Sequence, residues 1–242
     1  MPTRTLKWFE TVEDLQEMRA NGWRLHVSRG VTSGTNPSTS YNVVWQSQNL
    51  APVSTISWGD RYALAWTSDV PPDGISISIR SPWQPCAAGE SYDLDQNGMW
   101  QLSSEPGRPG WLSVGSVNFA DFDSSGIHIV VGIWNEGEGE YEAIWVDPTA
   151  TRLNMSARYC PQERMKWWLD AGNRRGTAVS NITSTSASYD FTNPSEPGTQ
   201  SYKWATTFEL PVGRWIVLLG DVPGSVQVQG RAASHPDDAP DA

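Results

Sequence analysis

The sequence predicts an all-β protein made of four degenerate antiparallel meander units of about fifty residues, arranged as two similar halves. Three observations predict it. Glycines recur at Gly22, Gly74, Gly126, Gly176 and Gly224, at intervals of 52, 52, 50 and 48 residues. Each opens a short apolar or alternating segment: Trp23-Arg-Leu-His-Val27, Ile75-Ser-Ile-Ser-Ile79, Ile127-His-Ile-Val-Val131, Thr177-Ala-Val-Ser180 and Ser225-Val-Gln-Val228. A tyrosine then opens a second apolar stretch, at Tyr41, Tyr92, Tyr141 and Tyr189. Repeats of this period mark architectures in which each unit buries an apolar face against its neighbour.

Agreement is best at twice the period. Leu25-His26-Val27 lies over Ile127-His128-Ile129, and the run Ser54 to Trp66 lies over Ser156 to Trp168 without a gap, both displaced by 102. Tyr41 and Trp45 lie over Tyr141 and Trp145, displaced by 100. The halves are placed at about 23–124 and 125–230, within one duplicated all-β domain over 23–230. Four units of four strands fit a small β-propeller, and a duplicated half fits a pseudo-twofold β-sandwich or barrel.

Taken in order, residues 1–22 form a helical lead-in. Thr11 is its expected N-cap, Val12, Leu15 and Met18 share one face, and Asn21-Gly22 is the stop. Tyr41-Asn-Val-Val-Trp45 puts Tyr41, Val43 and Trp45 on one side of a strand. Thr55–Trp58 and Tyr62–Trp66 flank Gly59-Asp60, a hairpin signal, and Pro161-Gln162 takes the place of that turn in the second half. Residues 231–242 read as an acidic, disordered tail that contains His235.

A net charge of -10, from 17 basic and 27 acidic residues, argues against nucleic acid and anionic membranes as partners, since both are held by clustered Lys and Arg. No apolar run reaches the twenty or so residues of a membrane span, and the N-terminus lacks the apolar core of a signal peptide. A soluble, intracellular protein is expected, with Cys86 and Cys160 as free thiols. The nearby Arg158 and Arg164 would favour a thiolate at Cys160.

Trp is the compositional outlier, with 14 copies against 7 Tyr and 5 Phe. Indoles fill broad β cores, and they also stack on sugars and aromatic ligands. The candidate ligand contacts are the residues the halves share, His26 with His128, Trp45 with Trp145 and Trp66 with Trp168. To these are added Trp83, Trp100 and Arg80, which occur in one half alone. A pseudo-twofold axis would bring the two histidines to one ligand, whereas the plainer role is a shared hydrogen bond in the sheet.

Asp93-Leu-Asp95-Gln-Asn97-Gly98 has the first half of a calcium-loop spacing, with Asp93, Asp95 and Asn97 as the metal ligands. Ser104 stands where that pattern needs a bidentate Glu, so an acidic β-turn is the alternative. Beyond calcium, no cofactor is expected. Glu136-Gly-Glu-Gly-Glu140 reads as a solvated loop. The chain has no G-x-S-x-G, H-E-x-x-H, P-loop or dinucleotide fingerprint.

The expectation is therefore a small-molecule or glycan-binding, lectin-like protein. The alternatives are an enzyme without a covalent nucleophile, such as a cyclase or isomerase that orients an apolar substrate, and a structural or assembly protein.

Overall fold

The computed structural model describes residues 4–9, 12–49, 51–118, 126–182, 186–190, 199–205 and 209–219. The described elements run β1 (Arg4–Phe9), α1 (Val12–Ala20), β2 (Arg24–Ser33), β3 (Gln46–Gln48), β4 (Val53–Trp58), β5 (Tyr62–Thr67), β6 (Gln84–Cys86) and β7 (Ser91–Leu94). They continue with β8 (Trp100–Leu102), β9 (Leu112–Val117), β10 (His128–Asn135), β11 (Glu140–Val146), β12 (Ala157–Asp170), β13 (Ser186–Asp190), β14 (Thr199–Ala205) and β15 (Glu209–Leu219). The chain is all-β with one short helix, as its patterning predicts, and no described helix is long and apolar enough to cross a membrane.

Helix α1 ends as its sequence requires. Gly22 takes a φ of 67°, its N–H bonds Arg19 O, and Trp23 N–H bonds Met18 O at 2.9 Å, the paired bonds of a Schellman cap. Leu15 and Met18 are buried and Val12 is 60% exposed, so two of the three predicted positions face the core. The expected N-cap Thr11, the strand at 225–228 and the tail lie outside the described residues.

The strands form three sheets, in the orders β14-β15-β1-β4, β11-β10-β5-β6 and β3-β2-β12-β9-β7-β8, with β13 also on β12. This differs from a run of equal four-stranded meanders. Strands β4 and β5 flank Gly59-Asp60 without pairing: β4 joins β1, and β5 joins β10 and β6. The predicted hairpin is a corner between two sheets, because Ala63, Leu64 and Ala65 are wholly buried on both faces of a strand with neighbours on each side.

Pro161-Gln162 is likewise no turn. Strand β12 continues through it, and pairing with β2 passes from Pro161↔Val31 to Met165↔Arg29, so two extra residues bulge out. Proline has no N–H for the ladder, which breaks there and resumes where Met165, Trp167 and Trp168 are buried. One pair, β7 with β9, is parallel rather than antiparallel.

The repeat glycines have a common cause. Gly22, Gly74, Gly126 and Gly176 all have positive φ, between 67° and 90°, a backbone region that side chains other than glycine resist. Ile75–Ile79 and Thr177–Ser180 are not regular strands. They pair with each other through Gly74 N–H to Ala178 O, Ala178 N–H to Ile75 O and Ile77 N–H to Gly176 O.

Gly132 has a different reason. It lies in β10 at a bulge against β11, and a Cβ there would sit 2.5 Å from the Trp83 ring, which also meets Tyr141 at 6.1 Å. Gly132→Val is expected to push Trp83 off the strand and cost about 1–3 kcal/mol. Urea denaturation followed by Trp fluorescence checks this, and an unchanged midpoint would refute it.

Candidate functional site

The structure places the two histidines in different sheets. His26 is fully buried on β2, with Nε2 3.0 Å from Asp170 O, its ring tilted against Trp168, and its pKa lowered by burial. His128 on β10 has Nδ1 2.7 Å from Asp147 O. Each imidazole thus meets a main-chain carbonyl, and the two share no partner.

The shared tryptophans are committed to the interior. Trp45, Trp145, Trp66 and Trp168 are at most 8% exposed. Their indole N–H groups donate to Glu142 from Trp45, to Ser40 Oγ from Trp145 and to Gly98 O from Trp66. Trp83 lies over Gly132, Trp100 Nε1 donates to Ser81 Oγ at 3.4 Å, and Arg80 is exposed.

Asp95 closes the β7–β8 turn. Its Oδ1 accepts from Asn97 N and Met99 N and its Oδ2 from Gln101, contacts that hold its carboxyl below the usual aspartate range. Asp93 lies on β7 itself, where its Oδ1 approaches Gly115. This is acidic-turn geometry, and among the described residues no group of three His, Cys, Asp or Glu is arranged to hold a metal. Both cysteines are free, and burial raises the Cys160 pKa, with the Gln162 hydrogen bond and the Arg108 charge acting the other way.

A polar groove, which sequence reasoning missed, is formed where β2 and β11 end. Past Ser33 the chain turns on its own side chains: Ser33 Oγ accepts from Asn36 N and lies 3.0 Å from Thr35 Oγ1. It returns through reciprocal bonds between Val31 and Ser40. A Cβ at Gly34 would lie 2.6 Å from Arg158 Cγ, so a side chain there would have to displace the Arg158 chain. One cavity of about 590 Å³ has Tyr41, Asn42, Trp145, Thr149 and Ser180 among its walls. A second, of about 400 Å³, includes Ser91, Ser113, Gly115, Arg108 and Arg158. They share Ser33, Thr35 and Asp147 as walls.

Asp147 follows directly on β11 and is 4% exposed. Oδ1 accepts from Thr149 N at 2.9 Å and Oδ2 from the buried Tyr159 hydroxyl at 2.8 Å. Burial raises its pKa, and the Thr149 and Tyr159 hydrogen bonds restrain that rise. Tyr159 is held neutral by burial and so acts as a donor. The signal present in the sequence was Asp147-Pro-Thr149, turn chemistry that cuts an apolar strand. Comparison with protein families, curated proteins and solved structures finds no match to this chain.

Proposed function

We propose that the protein binds a small polar ligand of glycan type in the groove around Asp147. The observation that carries this reading is the shared wall of the two cavities, in which a buried carboxylate is surrounded by hydroxyl and amide side chains with Tyr41 and Trp145 alongside. Such a surface suits a molecule with many hydroxyls and one or two apolar faces. The scaffold supporting it we read as a pseudo-twofold duplication: β2 pairs with β12, β10 pairs with β5, and residues 75–77 pair with 176–178.

The test is a glycan array followed by titration calorimetry on any hit. Asp147→Asn keeps the shape but removes a charged acceptor, so affinity is expected to fall about 10- to 100-fold. A blank array, or an affinity unmoved by Asp147→Asn, would sink the proposal.

One observation favours a second reading, as a cyclase or isomerase. A buried carboxyl with a raised pKa, hydrogen-bonded to a tyrosine, is suited to moving a proton at a bound substrate. In that case Asp147→Asn abolishes turnover while binding changes only a few-fold.

A further inference from the structure

Two arginines, Arg108 and Arg158, are walls of the smaller cavity of the groove, the one of about 400 Å³, and neither is a wall of the larger. Arg158 lies on β12, opposite Ser113 of β9, and Arg108 lies in the loop that leads into β9. Both close on one indole: Arg108 Cζ is 4.8 Å from the Trp111 ring centroid and Arg158 Cζ is 5.7 Å from it. Both are exposed, and among the described residues neither makes an ion pair.

The backbone around them fixes their placement. Gly34 N–H bonds Arg158 O at 2.8 Å, and the Arg158 side chain passes over the bare Cα of Gly34, where a Cβ would lie 2.8 Å from Nε. Gly107 packs on the backbone of residue 90, since a Cβ there would strike Glu90 O, and Gly89 N–H bonds Trp111 O at 2.8 Å. The loop is thus tied down on both sides of Arg108.

A guanidinium keeps its charge at any pH the protein meets, and its planar fork matches a carboxylate or sulfate. Two of them held beside one ring repel each other, and an anion that accepts from both removes the repulsion. The carboxylates of the same cavity do not fill that role. Asp147 has its oxygens engaged by Thr149 N–H and the Tyr159 hydroxyl, and Glu105, an exposed wall residue, pairs with neither arginine. Among the described walls of the larger cavity the charged residues are Asp73 and Asp147, both acidic. The groove therefore has one end that attracts an anion and one that repels it.

Resting on the saccharide reading of the groove, we infer that its ligand is an acidic saccharide, with the carboxylate or sulfate received by Arg108 and Arg158 and the neutral rings lying toward Tyr41 and Trp145. The arginines set the sign of the ligand and the direction in which it lies.

The test uses the full chain and tetrasaccharides of hyaluronan, chondroitin sulfate and polygalacturonate, each beside its carboxyl-reduced and desulfated counterpart. Inorganic sulfate serves as the anion without a sugar. Titration calorimetry is expected to show an acidic tetrasaccharide binding about 100-fold more tightly than its neutral counterpart, a difference that shrinks as salt is raised. Arg108→Gln and Arg158→Gln should each lower that ratio about 10-fold and leave binding of the neutral form unchanged. Arg152→Gln, at an exposed position outside both cavities, should leave the ratio as it is.

Neutral forms that bind as tightly as the acidic ones would overturn the proposal and leave the saccharide reading standing. Indifference to every acidic tetrasaccharide overturns it as well, and a blank array of neutral glycans then overturns the saccharide reading with it. Inorganic sulfate that raises the melting temperature as much as the acidic tetrasaccharides do would make the pair a site for a bare oxyanion and overturn the saccharide. A ratio that survives in both Gln variants, with a lowered melting temperature, would mark the arginines as packing for Trp111 and overturn their role.

Discussion

Glu142→Ala is expected to cost about 3–5 kcal/mol, enough to unfold a marginally stable domain. Glu142 is 7% exposed on β11, and its oxygens collect groups from separate parts of the fold. Oε2 accepts from Trp45 Nε1 at 2.9 Å and from Gln46 Nε2 at 2.6 Å, while Oε1 accepts from Asn135 Nδ2 at 2.6 Å and lies 3.0 Å from Arg175 Nη1. Alanine leaves Trp45, Gln46 and Asn135 without this acceptor, while Arg175 keeps Glu138 and Glu140 at 3.6 and 3.7 Å, and unmade buried bonds cost more than made ones gain.

Glu142→Gln separates charge from shape. Burial raises the Glu142 pKa, a rise partly offset by the hydrogen bond from Asn135 and the charge of Arg175. The folded state therefore holds the Glu142 proton more tightly than the unfolded chain. The stability this contributes is complete below the ordinary glutamate value of 4.5 and is lost as pH rises through the folded pKa. The Gln variant cannot ionise and lacks this slope, so the wild-type advantage over it should shrink as pH rises. Chemical denaturation at pH 4 and pH 8 measures this. An advantage that grows with pH would mean that the four donors outweigh burial.

Trp168→Ala is expected to cost about 3–5 kcal/mol through the cavity it leaves, and to lower the melting temperature by about 10 °C or more. The indole is 1% exposed in a small cluster with Val44 and Val179, and it is tilted against His26 at 5.6 Å. It is not a wall of the groove, so the folded fraction of the variant should bind any groove ligand as the wild type does. Thermal melts and titrations on the same sample separate the two. Weakened binding with an unchanged melt would return Trp168 to the ligand contacts proposed from its place in the repeat.

Burial was legible in the sequence and partnership was not. Alternation marked Leu25, Val27 and Ile129 as interior, and the glycine period marked backbone positions with positive φ. Both are local properties. The corner at Gly59-Asp60, the bulge after Pro161 and the parallel β7–β9 pair all depend on which distant strand lies alongside. A run such as Tyr62-Ala-Leu-Ala-Trp66 looks the same inside a hairpin or between two unrelated strands. The groove escaped for the same reason, since Ser33, Asp147 and Ser113 come from three elements whose meeting no local pattern encodes.

The pairing of β2 with β12 sets a clock on biosynthesis. His26 and its Asp170 partner are 144 residues apart, so at ordinary ribosomal speeds about ten seconds pass between the making of β2 and the arrival of its neighbour. Throughout that interval the nascent chain carries β2 with one edge open, its Leu25, Val27 and Val31 set among the charges of Arg24 and Arg29. The β1–β15 pair closes later still. Productive folding therefore waits for synthesis to reach the far half, and a stalled or truncated chain offers that edge to any other strand it meets.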